Sequence, residues 1–177
     1  MLHSWVQAVG ARNKRKAIEQ LLASHDWIIL HINRDTGCSI YTEKKDMDHA
    51  LEIHTARALT AMDYDVLFAP AAMFSREEKR FDVFLIRAHV MLKADLKTVS
   101  SKNPNTIAKS ITGGAEQASR RVLDIVSDIS VRDLVDGLCS GIAGQKGLVE
   151  IMVFYRNRFH VLRKQDIIGK RIYKILS

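Results

Sequence analysis

Long apolar runs, cysteines and prolines are all scarce in this chain of 177 residues. No stretch approaches 18 consecutive apolar residues and the first twenty lack a continuous apolar core, so neither a membrane span nor a signal peptide is predicted. A cytoplasmic protein with no membrane partner is expected. The two cysteines, Cys38 and Cys139, stand far apart with no companion at zinc-finger spacing. A disulfide framework is thereby excluded, and buried free thiols in a reducing compartment are expected. The two prolines, Pro70 and Pro104, punctuate the chain without forming a Pro-rich linker, and neither internal repeats nor low-complexity tracts occur. Acid is nearly missing from the ends: Asp166 is the single acid of residues 151–177 and Glu19 that of residues 1–20.

What is present is basic charge at both ends and an ordinary apolar middle. Residues 151–177 carry seven Lys or Arg, residues 1–20 carry four, and the whole chain has a formal net charge of +7. Basic ends on a near-neutral middle point to a polyanionic partner, because phosphate contacts dominate nucleic-acid affinity. A merely solvated basic surface remains the alternative. With 47% hydrophobic and 27% charged residues, the composition is that of a globular protein. The length suits one domain with extensions.

The pattern predicts an amphipathic helix over residues 13–24, strands in "DWIILHI" and "CSIYT" around the turn "NRDTG", and a helix from Asp46 to about Met62. The strand "YDVLFA" ends at Pro70, and "FDVFLIRAHVMLKADLKTVS" reads as a hairpin turning at Ala88 and His89. Residues 105–128 carry Ile107, Ile111, Ala118, Val122 and Ile125 at helical spacing, with Gly113 and Gly114 as a kink or close approach. A loop or short helix then leads to the strands "LVEIMVFY" and "FHVLR". The expectation is an α/β core, a small central mixed β-sheet flanked by helices. It would span residues 45–155, between a basic N-terminal helix and hairpin extension over 1–44 and a basic C-terminal extension over 156–177 that packs on the core.

Asp82, Asp95 and Lys97 lie inside the apolar hairpin segment. Folded back around Ala88 and His89, the hairpin sets Asp82 opposite Asp95, where Cβ atoms lie about 4.5–5.5 Å apart and like charges repel. A shared divalent cation would resolve that repulsion, since carboxylate oxygens suit Mg²⁺. Lys97, two residues beyond Asp95, would project beside the same ion, on a face opposite the apolar one formed by Phe81, Val83, Leu85, Leu92, Ala94 and Leu96. Glu52, on the helix through His49, Ala56 and Leu59, could add a third carboxylate. A polar stripe of Ser110, Gln117, Arg121 and Asp124 could meet phosphate. An Asp–Lys surface pair, an exposed Glu52 and a solvated helix face account for the same residues one at a time.

Helix Glu, strand Asp, then Asp-x-Lys on the next strand, followed by a helix and a strand, resembles the PD-(D/E)XK nuclease superfamily. The segment "ADLKTVSSKNPNTIAKSITGGAEQASRRVLDI" is similar to the C-terminal tRNA-nuclease domain of contact-dependent growth-inhibition toxins, and the likeness covers about residues 48–130. Asp95 stands where those toxins more usually have Glu. The resemblance implies a metal-dependent endonuclease cleaving phosphodiester bonds, in RNA and tRNA-like RNA above all. Glu52, Asp82, Asp95 and the Leu96 carbonyl would hold one or two Mg²⁺ or Mn²⁺ ions, and Lys97 would be the catalytic lysine. It also implies an immunity protein as partner wherever such a domain serves as a toxin, and a homodimer is an open expectation for the fold.

Nucleic-acid contacts are expected from Lys109, Gln117, Arg120 and Arg121 on the second long helix, and from Arg156 and Arg158 in the tail beside Tyr155, Phe159 and Tyr173. Phe159, in an alternating run, fits a strand core equally. A DNA endonuclease of the same fold and a non-catalytic nucleic-acid-binding module are the alternatives. A zinc hydrolase fits poorly, because His49 and His54 are five residues apart rather than four.

Overall fold

Residues 27–43 fold as the predicted strand pair. β1 (Trp27–Ile32) runs antiparallel to β2 (Ser39–Glu43). Their turn is fixed by the Asn33 side chain, which accepts hydrogen bonds from the Asp35 and Thr36 amides, and by Gly37 at a left-handed φ of 75°. This computed structural model describes residues 16, 19–46, 48–75, 80–88, 90–113, 118–168 and 171–176. Residues 13–15, 17 and 18 of the helix expected over 13–24 lie outside the described residues, while 16 and 19–23 are helical and Leu21 is buried. The chain divides into two units, residues 1–93 and 94–177.

In the first unit β2 pairs in parallel with β3 (Asp65–Phe68), and β3 pairs antiparallel with β4 (Val83–Arg87). Helix α1 (Ile53–Thr60) packs on β2 and β3 and buries Ala56 and Leu59. The expected helix began at Asp46, but residues 46 and 48–52 are not helical. The Asp46 carbonyl accepts the Thr42 hydroxyl and the His49 ring stacks on Phe68, which ties this stretch to the sheet instead.

The second unit holds the C-terminal part of β5 (Val90–Val99), parallel to β6 (Arg120–Ile125), which is parallel to β7 (Glu150–Tyr155); β8 (Arg158–Arg163) closes the order antiparallel to β7. Helices α2 (Pro104–Thr112) and α3 (Val131–Ile142) pack against each other, with α4 (Lys164–Ile168) and α5 (Ile172–Leu176) following. Their apolar faces join Leu123, Ile151, Val153 and Leu162 in one core. The architecture is thus α/β, with mixed sheet flanked by helices. Strands from both expected extensions belong to it, since β2 pairs with β3 and β8 with β7. Among the described residues no helix is long and apolar enough to cross a membrane.

Two sequence expectations are corrected here. The helix predicted over 105–128 is two elements: α2 ends at Thr112, Gly113 caps it, and "RRVLDI" is strand β6, buried on both faces. A strand buried on both faces reads as a continuous apolar run, which a helical template also accepts. Second, residues 131–142 form a full helix rather than a loop or short helix. It starts at Ser130, whose hydroxyl accepts from the Asp133 amide, and buries Leu134, Val135, Leu138 and Ile142.

The α2–α3 contact depends on Gly137 and Gly141. A Cβ at Gly137 would lie 2.6 Å from Ile107 Cβ and 2.7 Å from the Pro104 carbonyl oxygen, and one at Gly141 would lie 2.7 Å from Ile111 Cδ1. Alanine gains about 1 kcal/mol over glycine in a helix, but forcing these helices apart costs about 1–3 kcal/mol or more. Gly137→Ala is therefore expected to lower the urea midpoint of unfolding, and an unchanged or raised midpoint would refute the close contact.

Candidate active site

A cavity of about 170 Å³ opens in the first unit, lined by Asp46, His49, Glu52, Phe68, Ala69, Ala71, Phe74, Arg80, Phe81 and Asp82. Two residues expected in the site, Glu52 and Asp82, thus line the same space although thirty positions separate them. Glu52 is the N-cap of α1 yet makes no side-chain capping bond, so its carboxylate is not consumed by the helix end. Asp82 sits in the bend before β4, where its carbonyl accepts the Ala69 amide at 2.9 Å and ties it to the end of β3. The apolar wall is aromatic: Phe74 meets Phe81 edge to face at 5.1 Å, and Phe68 and Phe81 are buried.

Three acids and one guanidinium, Arg80, line this cavity. In a chain of net charge +7 such a lining is acidic against the trend, and it favours a cationic occupant. Asp46, His49 and Arg80 were not expected here. His49 had a faint signal, because it shares the helical stripe of Glu52; Arg80 had none.

Asp95 has a different setting. It lies directly across from Arg121 in the parallel β5–β6 register, and its Oδ2 is 2.9 Å from Arg121 Nη1, with both side chains at 0% exposure. Arg121 Nε also donates to the Ile111 carbonyl at 3.4 Å, and Nη1 to the Arg120 carbonyl at 3.3 Å. Residues in register share a face of the sheet. Asp95, Arg121 and Ile151 are therefore on the face that α2 covers, and Lys97, Leu123 and Val153 follow on that face two residues later. Ala94 and Leu96 are buried as well. The expected division of this segment into one core face and one open carboxylate face is thus corrected: at Asp95 both faces are covered, and the buried charge is matched by an arginine.

The other expected contacts are dispersed. Lys109 is exposed on α2, Gln117 lies outside the described residues, and Arg120 binds Glu150 through Nε at 2.6 Å. Arg120 and Arg121 are on strand β6, not on a long helix, and Arg121 presents nothing to solvent. Arg156 and Arg158 are exposed, Arg156 in the two-residue β7–β8 turn, where it and Asn157 both take positive φ. The neighbouring aromatics serve packing: the buried Tyr155 hydroxyl donates to the Ile129 carbonyl at 2.8 Å, and Phe159 packs on Phe154 with centroids 4.8 Å apart. On β8 burial, and after it the Arg158 charge, pushes His160 below the ordinary imidazole pKa.

Among the described residues no three His, Cys, Asp or Glu side chains are grouped to hold a metal. The described residues thus present no closed cage of the zinc type. It does not bear against Mg²⁺, which is commonly bound by one or two carboxylates with waters and substrate phosphates completing its shell. Glu52 and Asp82 have the hard oxygen donors such an ion takes. Comparison with known proteins adds no relative, as no family model, curated protein or solved structure matches the chain.

Proposed function

We propose that the chain is a Mg²⁺- or Mn²⁺-dependent endonuclease that cleaves phosphodiester bonds in RNA. One observation carries this reading: Glu52 and Asp82, two acids of the nuclease-like pattern, line one acidic cavity in an otherwise basic protein. The order of elements supports it, since α1, β3, β4, β5, α2 and β6 follow one another as the PD-(D/E)XK resemblance expects. Glu52 and Asp82 would hold the cation, and a bound ion of this kind polarises a phosphoryl oxygen and acidifies a coordinated water. Arg80, exposed at the rim, offers a guanidinium to a phosphate. In the resemblance Asp95 and Lys97 are the remaining acid and the lysine of the pattern; Asp95 is bound to Arg121 within the second unit. Exposed Lys109, Arg156 and Arg158 supply phosphate contacts outside the cavity.

The test is direct. Purified protein incubated with total RNA and with plasmid DNA in Mg²⁺ is expected to cleave RNA, and to lose that cleavage in EDTA. Cleavage confined to plasmid would replace the substrate and keep the chemistry. Salt-sensitive binding of both without cleavage would reduce the protein to a binding module and overturn the proposal.

A further inference from the structure

Three phenylalanines line the cavity, and two of them are already engaged. Phe68 is buried, and the His49 ring stacks on it with centroids 3.7 Å apart and planes 5° from parallel. Phe81 is buried too: Phe84 meets it edge to face at 4.8 Å, and the Lys93 ammonium lies 5.0 Å from its centroid. Phe74 differs. It is only partly buried, and among the described residues its one ring partner is Phe81, at 5.1 Å with the planes 81° apart. In a perpendicular pair one ring offers its edge to a face of the other, so Phe81 leaves at least one face of Phe74 uncovered. A single 3-10 turn, Ala71–Met73, sets Phe74 in place between β3 and β4. The Met73 amide donates to the Pro70 carbonyl at 2.9 Å and the Phe74 amide to the Ala71 carbonyl at 3.3 Å, and the backbone is extended again at Phe74.

An open aromatic face beside two carboxylates and the Arg80 guanidinium is more than a metal ion or a lone phosphate requires. A nucleotide uses all three features, with its phosphate on the cation and the guanidinium and its base on the ring. In an A-form duplex each base is already paired and stacked, whereas an unpaired base can be splayed out onto an aromatic side chain.

We propose that Phe74 stacks a base next to the scissile phosphate, and that the substrate of this cavity is therefore unpaired RNA, a loop or single strand rather than a duplex. The proposal rests on the nuclease reading and adds to it the form of the substrate and the residue that selects it. Phe74 takes no part in bond breaking. It contributes binding that is equal in the ground state and the transition state, so its loss acts on KM. Stacking tolerates every base, because each has a π-face. Phe74 selects unpaired RNA without selecting its sequence.

The test uses one RNA oligonucleotide in Mg²⁺ in three forms: single-stranded, annealed to its complement, and single-stranded with the two bases flanking the cleaved bond replaced by abasic residues. Wild type is expected to cleave the single strand about tenfold or more faster than the duplex, judged by kcat/KM. Phe74→Leu keeps an apolar side chain against Phe81 but has no π-face. It is expected to raise KM by about 5–150-fold, the worth of one base–aromatic stack, with kcat little changed, and Phe74→Trp is expected to restore KM. The abasic strand should raise the wild-type KM by a similar factor, and Phe74→Leu should add no further loss on it, because both changes remove the same contact. A merely structural phenylalanine would give losses that multiply. Losses that multiply, a Phe74→Leu variant equal to wild type, or duplex cleaved as fast as single strand overturns the inference and leaves the nuclease reading standing. The abasic arm needs only wild type and so does not depend on how a variant folds; an unchanged KM there rules the inference out. A wild type that cleaves neither RNA nor plasmid overturns both.

Discussion

Asp95→Ala is expected to lower the free energy of unfolding by about 3–5 kcal/mol, because it takes the Asp95 carboxylate away from the Arg121 guanidinium, which is at 0% exposure. Arg121→Met should cost a similar amount by taking the guanidinium away from the carboxylate. Together, as Asp95→Leu with Arg121→Met, the substitutions remove both charges and should recover most of the loss, since apolar residues of similar volume replace a buried ion pair at little cost or with a gain. Denaturant unfolding of the wild type, two singles and the double gives the coupling directly, and costs that simply add would contradict the pairing. The result bears on mechanism too. Lost cleavage in Asp95→Ala alone reports unfolding as readily as chemistry, whereas the folded double variant separates them.

Glu52→Gln and Asp82→Asn should each lower kcat/KM for RNA cleavage by about 10²–10³-fold or more, since a divalent ion contributes several kcal/mol of transition-state stabilisation and each 1.4 kcal/mol is about tenfold. Both replacements keep the shape of the side chain and remove its charge. Both residues are only partly buried, so thermal unfolding should shift little. The paired readout matters: activity lost with folding intact is the cavity's signature. Activity within tenfold of wild type in both variants would remove these acids from the chemistry.

How much of this could be read from the residues alone differs sharply between elements. The strands β1, β2, β3, β7 and β8 announce themselves by β-branched runs closed by turns, and each formed where expected. Ile107, Ile111, Ala118, Val122 and Ile125 keep helical spacing across Gly113 by coincidence, so one helix was expected where a helix and a buried strand occur. The Ser130-x-x-Asp133 start of α3 lies just beyond that expected helix, in the stretch read as a loop or short helix. For the candidate site, Glu52 and Asp82 were expected from the charges inside the hairpin segment and the chain order of the resemblance, and both line the cavity. Arg121 could not be matched to Asp95, because that pairing arises from the parallel β5–β6 register across a helical crossover, and no local pattern encodes it. His49 stayed hidden for the same reason: its partners Thr42 and Phe68 come from two different strands.

The position of a bound ion decides the matter most directly. Crystals soaked in Mn²⁺ should show an anomalous difference peak in the cavity within coordinating distance of the Glu52 and Asp82 carboxylates, and that peak should vanish in Asp82→Asn. A saturating soak that leaves these two carboxylates without a metal, or places it elsewhere on the protein, would contradict a cation-dependent reaction at this site.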